Sequence, residues 1–187
     1  MRPQKVLDSD MLQGLTKVFR SKGYEGANLS ELAEATNLKK ASLYHRFPGG
    51  KQEMARTVLS HIEQWVETYI LNGLKNDQLP PKERLQNVLS EIYSSYDGGK
   101  DTCIFRALSL ESGIVLFQES IEFGMQQWID AFENFGITLG LSKDKAHELS
   151  VQTLIDIQGS LIVAKGMNNT DVFKNTLLNI EKRYSLN

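Results

Sequence analysis

The segment from Asn28 to Lys51, NLSELAEATNLKKASLYHRFPGGK, constrains what this 187-residue chain can fold into more than any other stretch. Asn28 and Glu31 have the spacing of a capping box, in which each side chain accepts a hydrogen bond from a free backbone N–H of the other, so a helix is predicted to begin here. Asn37 tolerates positive φ and is predicted to end that helix in a sharp turn. A second helix is predicted from about Lys39 to Phe47.

The second helix is predicted to expose polar side chains, because Leu43 and Phe47 lie four residues apart on its other side. Tyr44 and His45 are residues whose side chains are able to donate hydrogen bonds to phosphate oxygens. Lys51 falls in the first turn of the next helix, where free N–H groups and the helix dipole favour an anion. An ordinary helical hairpin with a solvated charged face is one interpretation, but the combination favours a helix-turn-helix that binds DNA.

The charge of the chain is divided unevenly along its length. Residues 1–51 contain nine Lys and Arg against five Asp and Glu, which gives +4, and the remaining residues contain 12 against 18, which gives −6. The net charge of −2 conceals this polarity. A basic amino-terminal quarter with an acidic body favours approach to a polyanion with one end only.

These residues resemble the DNA-binding domain of the TetR family of bacterial transcriptional regulators, and the doubled glycine before Lys51 resembles its LmrA/YxaF-like branch. The sequence departs from the family pattern at Asn37, where Gly is common, and at Lys39, where a Ser or Thr cap is common. Lysine cannot accept a hydrogen bond, so Lys39 cannot cap the helix with its side chain. The matching stretches are FRSKGY (Phe19–Tyr24), LAEATNL (Leu32–Leu38) and ASLYHRF (Ala41–Phe47).

The resemblance and the exposed positions together predict two kinds of DNA contact, one to base edges and one to the phosphate backbone. Lys39 also belongs to the predicted DNA-binding set. The predicted base contacts are Lys40, Ala41, Ser42 and His45. The predicted phosphate contacts are Asn28, Tyr44, Arg46 and Lys51.

A supporting helix is predicted before this pair, from about Asp8 to Lys22, with Gly23 at its end. Tyr24, beside the glycine, is able to bind phosphate, but packing against the helix end is the favoured interpretation, because apolar contacts accompany such ends. The apolar stripe of this helix is formed by Leu7, Met11, Leu15, Val18 and Phe19.

The rest of the chain is predicted to be helical, because no alternating strand pattern or fixed-period repeat occurs. The predicted fold is all-α with about nine helices. We expect a helix-turn-helix DNA-binding domain at residues 1–50 and a helical ligand-binding and dimerisation domain at residues 51–187. The later helices are predicted at about Lys51–Asn76, Pro81 to just before Gly98, Cys103–Leu110, Val115–Leu139, Ser142–Gly166 and Asp171–Tyr184.

The body of the chain is rich in aromatic side chains. For any single one, core packing is the ordinary interpretation. Together they favour a cavity for a flat or aromatic ligand, and the resemblance implies an inducer chamber among the helices after the DNA-binding domain. The residues predicted to contact this ligand are Trp65, Tyr69, Tyr93, Tyr96, Phe105, Phe117, Met125 and Trp128.

The last two helices are predicted to associate with a second copy of the chain, although internal core packing is the alternative. Gly159 permits close backbone approach despite a cost of about 1 kcal/mol in mid-helix. The resemblance implies that such helices pair across a two-fold axis, which would place two reading helices about 34 to 36 Å apart on a palindrome. The predicted interface residues are Leu154, Ile157, Leu161, Phe173, Leu177 and Ile180.

Other chemistry has little support. His45, His61 and His147 are widely separated, so neither a metal site nor a cofactor is predicted. The chain lacks a phosphate-cradling glycine motif and a nucleophile elbow, so it is not predicted to be an enzyme. Cys103 is interpreted as a packed residue rather than a redox sensor. Without a long apolar run, the chain is predicted to be cytoplasmic with no membrane partner.

Two hypotheses of different classes follow. The first is a ligand-responsive repressor that binds a palindromic operator in double-stranded DNA as a homodimer and is released by a small hydrophobic or aromatic inducer. The alternative keeps the same fold for a coactivator that binds a protein partner and a metabolite but not DNA. The presence of Tyr44, His45 and Lys51 argues against the alternative.

Overall fold

The computed structural model describes residues 8–185, and within this range it contains nine α-helices, one 3-10 turn and no strand. The prediction of an all-α fold is confirmed, and Leu7 of the predicted first stripe lies outside the described residues. The helices are α1 (Asp8–Gly26), α2 (Leu29–Ala35), α3 (Lys40–Arg46), α4 (Gly50–Trp65, continued by Val66–Leu71 and Asn72–Lys75), α5 (Pro81–Ser95), α6 (Ile104–Leu108), α7 (Ser112–Thr138), α8 (Lys143–Gly166) and α9 (Asp171–Ser185).

The described residues form two compact units. The amino-terminal unit contains residues 8–62 and 104–121, and the carboxy-terminal unit contains residues 63–103 and 122–185. Helix α6 belongs to the amino-terminal unit because it packs against α1. The predicted functional boundary at residue 50 remains a prediction, since packing and function need not divide at the same residue.

The amino-terminal unit has a core of fully buried side chains that include Leu15, Phe19, Leu32 and Leu43. Gly23 interrupts α1 at the predicted position. The backbone leaves helical geometry there with φ 69°, which glycine adopts readily, and a short second helical stretch follows as far as Gly26.

Helix α4, predicted as one continuous helix from about Lys51 to Asn76, does not keep regular α-helical geometry along its whole length. Residues Val66–Leu71 form a π-helical segment, in which each hydrogen bond spans one more residue than in an α-helix. Val66, Ile70 and Leu74 are buried at steps of four, whereas Tyr69 is 45% exposed. Ile70 therefore faces inward, and Tyr69, one of the residues predicted to contact a ligand, is left partly exposed.

The carboxy-terminal unit has an aromatic core. Trp128 and Phe132 stack with ring centroids 6.4 Å apart. The ring centroid of Tyr184 lies 5.8 Å from that of Phe132 and 5.7 Å from that of Phe135. Helix α9 packs against both α8 and α5.

Two helices of this unit begin with residues suited to the first turn. Pro81 begins α5 in the first-turn position that proline suits, and the Ser142 hydroxyl caps α8.

The six side chains predicted to form a dimer interface face inward instead. Each is at most 9% exposed, because α8 and α9 turn these stripes towards the core of their own unit. They therefore stabilise the single chain, and any interface on these helices must use their other faces. The six residues are Leu154, Ile157, Leu161, Phe173, Leu177 and Ile180.

Candidate nucleic-acid interface

Helix α2 begins with the predicted capping box. The Asn28 Oδ1 atom accepts hydrogen bonds from the backbone N–H groups of Ser30 and Glu31, each at 3.0 Å, and the Glu31 carboxylate accepts one from the Asn28 N–H at 3.5 Å. These bonds satisfy donors that the first turn of a helix leaves free. Because Oδ1 of Asn28 is used by the cap, only its side-chain amide N–H groups remain for a phosphate.

The turn between α2 and α3 has the predicted left-handed residue. Asn37 has φ 52°, and the N–H of the following Leu38 donates to the carbonyl of Ala33 at 3.0 Å. The buried Thr36 hydroxyl donates to the Leu32 carbonyl at 2.8 Å, which closes the end of α2. The sharp angle between α2 and α3 is therefore produced by the positive φ of Asn37 and by the hydrogen bonds that Thr36 and Leu38 make to the end of α2.

Helix α3 presents one apolar and one polar face. Leu43 is fully buried and Phe47 is 5% exposed, which anchors the helix to the amino-terminal unit. Lys39 precedes the helix without a side-chain capping bond, as its lack of an acceptor predicted. The exposed side chains are Lys39, Lys40, Ala41, Ser42, Tyr44 and His45, so six of the nine predicted DNA-binding residues share one accessible surface.

The loop after α3 is held in place by backbone constraints. Gly50 has φ 64°, a left-handed conformation that favours glycine, and its N–H donates to the Phe47 carbonyl at 2.8 Å. The Glu53 carboxylate accepts a hydrogen bond from the Gly49 N–H at 2.6 Å. The sequence analysis did not predict this capping role of Glu53, although its position in the first turn of α4 is a signal for it.

Arg46, which was predicted to contact a phosphate, contacts side chains of α1 in the free protein. Its Nη1 atom lies 3.0 Å from Oδ1 of Asp8 and 3.3 Å from the sulfur of Met11, both on α1. These contacts fasten the end of α3 to α1. In the described chain, Lys39 and Lys40 have no such carboxylate partner, which leaves their charge available on the exposed surface of α3.

Lys51 lies at the edge of the same surface, in the first turn of α4. Its Nζ atom is 4.5 Å from the centroid of the Tyr24 ring and 3.5 Å from the carbonyl oxygen of Glu25. The Tyr24 ring packs edge-on against Phe117, with centroids 5.1 Å apart. Burial raises the pKa of Tyr24, and the Glu25 carboxylate raises that pKa further. The favoured interpretation of Tyr24 as a packing residue agrees with these contacts.

The residues predicted to bind a ligand are divided between the two units. Phe105 and Phe117 belong to the amino-terminal unit, and the other six belong to the carboxy-terminal unit. Among those six, the ring centroid of Trp65 lies 5.8 Å from that of Tyr69 and 6.4 Å from that of Trp128.

Tyr93 alone of the eight lines a groove of about 350 Å³ between α5 and α9. The groove is also lined by Gln86, Leu89, Ser90, Lys174, Leu177, Leu178 and Glu181.

The capped helix α2, the left-handed turn at Asn37 and the exposed helix α3 together have the geometry of a helix-turn-helix. Residues 12–58 match the family model described as bacterial regulatory proteins, tetR family. The chain therefore carries a DNA-binding domain of this family, as its motifs predicted, and the proteins of this family are transcriptional regulators rather than enzymes.

Curated relatives are similar along most of the chain. It is 23% identical to the HTH-type transcriptional regulator LmrA of Bacillus subtilis, over 86% of this chain and 87% of LmrA. It is 27% identical to the HTH-type transcriptional repressor DhaR of a Mycobacterium species, over 83% of this chain and 81% of DhaR. The similarity to LmrA agrees with the predicted branch.

The fold also matches a solved structure. A cysteine mutant of the TetR family transcriptional regulator CifR, complexed with 26-base-pair double-strand operator DNA, superimposes with a TM-score of 0.71. The match covers 98% of this chain and 97% of CifR at 23% identity, which shows a shared fold.

Within residues 8–185, every helix falls short of the length and apolarity that crossing a membrane requires. The same residues contain no group of three or more His, Cys, Asp or Glu side chains placed to hold a metal ion. Cys103 is buried and has no disulfide partner there.

Proposed function

We propose that the protein is a ligand-responsive repressor that binds a palindromic operator as a homodimer. The observation that carries the proposal is the exposed face of α3, where Lys39, Lys40, Ser42, Tyr44 and His45 project while Leu43 is fully buried. A recognition helix needs this arrangement, because its polar side chains enter the major groove and its apolar side chains hold it to the domain. Lys51 and the amide groups of Asn28 would contact phosphates on either side of that groove.

The names of related proteins support this proposal. DhaR is named a transcriptional repressor, and the cysteine mutant of CifR is complexed with double-strand operator DNA. A repressor of this kind acts where the chromosome is, so we propose a cytoplasmic location.

The dimer surface is proposed to be the outward face of α8. Ile155 is 56% exposed and Ile162 is 51% exposed on this face, and Met167, which directly follows the helix, is 66% exposed. A group of exposed large apolar side chains marks a surface for protein association. Gly159 lies on the same face, and a Cβ added to it would meet nothing within 4 Å. The small residue between large apolar ones would allow a second α8 to approach closely.

The inducer is proposed to be a small hydrophobic or aromatic molecule. The aromatic cluster of Trp65, Tyr69 and Trp128 and the groove beside Tyr93 support this class of ligand. The inducer would release the protein from its operator if it bound more tightly to a dimer whose two recognition helices are wrongly spaced for DNA. A ligand shifts such an equilibrium only by the difference between its affinities for the two conformations.

The experiment is a gel-shift assay with duplexes that tile the DNA flanking the coding gene. We expect one duplex to give a shift that excess unlabelled copies of the same duplex remove and a shuffled duplex does not. A Lys40→Ala variant serves as the matched protein control, because Lys40 lies on the exposed face and supports no core contact. The absence of a specific shift with every duplex would favour the coactivator alternative.

A further inference from the structure

We propose that Tyr24 is a positioning residue for DNA binding, and that its ring holds the Lys51 ammonium group at the amino end of α4 for contact with a phosphate. The inference rests on the proposed function, since it assumes that Lys51 contacts the DNA backbone. It assigns a role to a side chain that itself need not touch DNA.

The contact between the two side chains is direct. The Lys51 Nζ atom lies 4.5 Å from the centroid of the Tyr24 ring, within the distance at which a cation is attracted to an aromatic face. The Glu25 carbonyl oxygen, at 3.5 Å, is a second acceptor for the same ammonium group. An ammonium group has three donors, so at least one remains for an incoming anion.

The Tyr24 ring is fixed by its own surroundings. Its edge contacts Phe117 at an interplanar angle of 76°, and Phe117 is only 2% exposed. The Arg56 guanidinium lies 5.9 Å from the Phe117 ring and donates to the Leu116 carbonyl at 3.3 Å. A tyrosine hydroxyl is neutral at physiological pH, and burial raises the pKa of Tyr24 further, so Lys51 is attracted by the ring rather than by a phenolate.

A held lysine binds a phosphate more favourably than a free one. A lysine side chain loses rotamer freedom when it is immobilised, and a side chain that is already restricted loses less on binding. The benefit is independent of base sequence, because phosphate contacts carry no sequence information. Removing the ring should therefore weaken binding to every duplex by about two- to fivefold, the factor that an exposed cation–π contact contributes.

The test is a double-mutant cycle on the full chain. Fluorescence anisotropy would measure the Kd of wild type, Tyr24→Phe, Tyr24→Leu, Lys51→Ala and the Leu/Ala double variant. The probes are a labelled duplex from the DNA flanking the coding gene and a shuffled duplex of the same length. We expect Tyr24→Phe to bind like wild type and Tyr24→Leu to bind both duplexes about two- to fivefold more weakly. In the Lys51→Ala background, Tyr24→Leu should have no further effect.

Two results would overturn the inference while leaving the proposed function intact. One is a Tyr24→Leu effect of equal size with and without Lys51, which is the behaviour of a purely structural residue. The other is a Tyr24→Phe variant as weak as Tyr24→Leu, which would assign the effect to the hydroxyl. If Tyr24→Leu does not fold, Tyr24→Met keeps bulk against Phe117 without a ring and replaces it in the cycle. Wild-type protein that binds neither duplex would instead overturn the proposed function.

Discussion

A Cβ atom added to Gly14 would lie 2.3 Å from the carbonyl oxygen of Ala35, closer than a real Cβ atom approaches any backbone atom. Gly14 lies on α1 and Ala35 ends α2, so the backbones of these helices touch where they cross. The crossing needs glycine for its lack of a side chain rather than for its conformational freedom. Because α2 leads directly into α3, this contact determines where the exposed face of α3 is held.

Gly14→Ala should destabilise the amino-terminal unit and weaken operator binding. The added methyl group would have to displace backbone, and overpacking of this kind lowers the free energy of unfolding by about 1–3 kcal/mol. Urea unfolding followed by circular dichroism measures the loss. Gly26→Ala is the matched control on the same helix, because its Cβ would meet only the Lys22 Cβ at an ordinary 3.4 Å. Equal midpoints for the two variants would contradict the described crossing.

Lys40→Ala and Lys51→Ala should weaken DNA binding in different ways. Loss of a base contact at Lys40 should reduce discrimination between an operator and a shuffled duplex by about 1–3 kcal/mol. Loss of a phosphate contact at Lys51 should weaken both duplexes alike and reduce the slope of log K against log salt by about 0.9. Anisotropy titrations at several salt concentrations measure both quantities.

Lys143→Ala, which changes the net charge equally but lies on α8, is the control for these titrations. Identical losses for Lys40→Ala on both duplexes would remove Lys40 from the base-contacting set.

Ile162→Lys should convert the proposed dimer to a monomer. Ile162 is 51% exposed on the outward face of α8, so a lysine there leaves the single chain intact but places two charges against each other across a two-fold interface. Sedimentation velocity measures the oligomeric state, and operator affinity should fall with it. Ile137→Lys, at a 42% exposed position on α7, is the control. A dimer that survives Ile162→Lys would place the interface elsewhere.

Tyr184 should make the protein sensitive to alkaline pH. Burial raises the pKa of Tyr184 from 10.0 to about 12, with smaller opposing effects from a hydrogen bond to Thr153 and the charge of Arg183. Because the folded pKa lies above the unfolded pKa, the stability that the neutral hydroxyl contributes is complete below pH 10 and is lost as pH rises through about 12. A shift of this size corresponds to about 3 kcal/mol in the free energy of unfolding.

The comparison for Tyr184 is the phenylalanine variant. Urea unfolding of wild type and Tyr184→Phe at pH 9 and pH 11.5 should show a steeper alkaline loss for wild type. The buried hydroxyl lies 3.4 Å from the Thr153 hydroxyl, so the variant also loses one weak hydrogen bond, equally at both pH values. Parallel losses in the two proteins would mean that Tyr184 titrates as an exposed tyrosine does.

Local signals predicted the elements around the helix-turn-helix well. The cap at Asn28, the left-handed turn at Asn37 and the proline at the start of α5 each depend on a few neighbouring residues, which a sequence displays directly. Gly14 was not predicted to matter, because its requirement arises from contact with a helix more than 20 residues away. The π-helical segment at Val66–Leu71 also has no residue signature of its own.

The faces of α8 could not be assigned from the sequence. Leu154 and Ile157 point inward, but Ile155 and Ile162 are equally apolar and point outward. A helix with apolar side chains around much of its circumference has no periodicity that identifies its buried side. The sequence therefore predicted two apolar stripes correctly and assigned them to an intermolecular surface, whereas the structure places them inside the chain.

The most direct test of DNA reading by α3 is the operator affinity of wild type and of Lys40→Ala, measured by anisotropy on a duplex from the flanking DNA and on its shuffled counterpart. Wild type should prefer the flanking duplex by at least about 10³-fold, the lower end of the range for specific regulators, and Lys40→Ala should lose much of that preference. Equal affinity of wild type for both duplexes, or a preference unchanged by Lys40→Ala, would contradict DNA reading by α3.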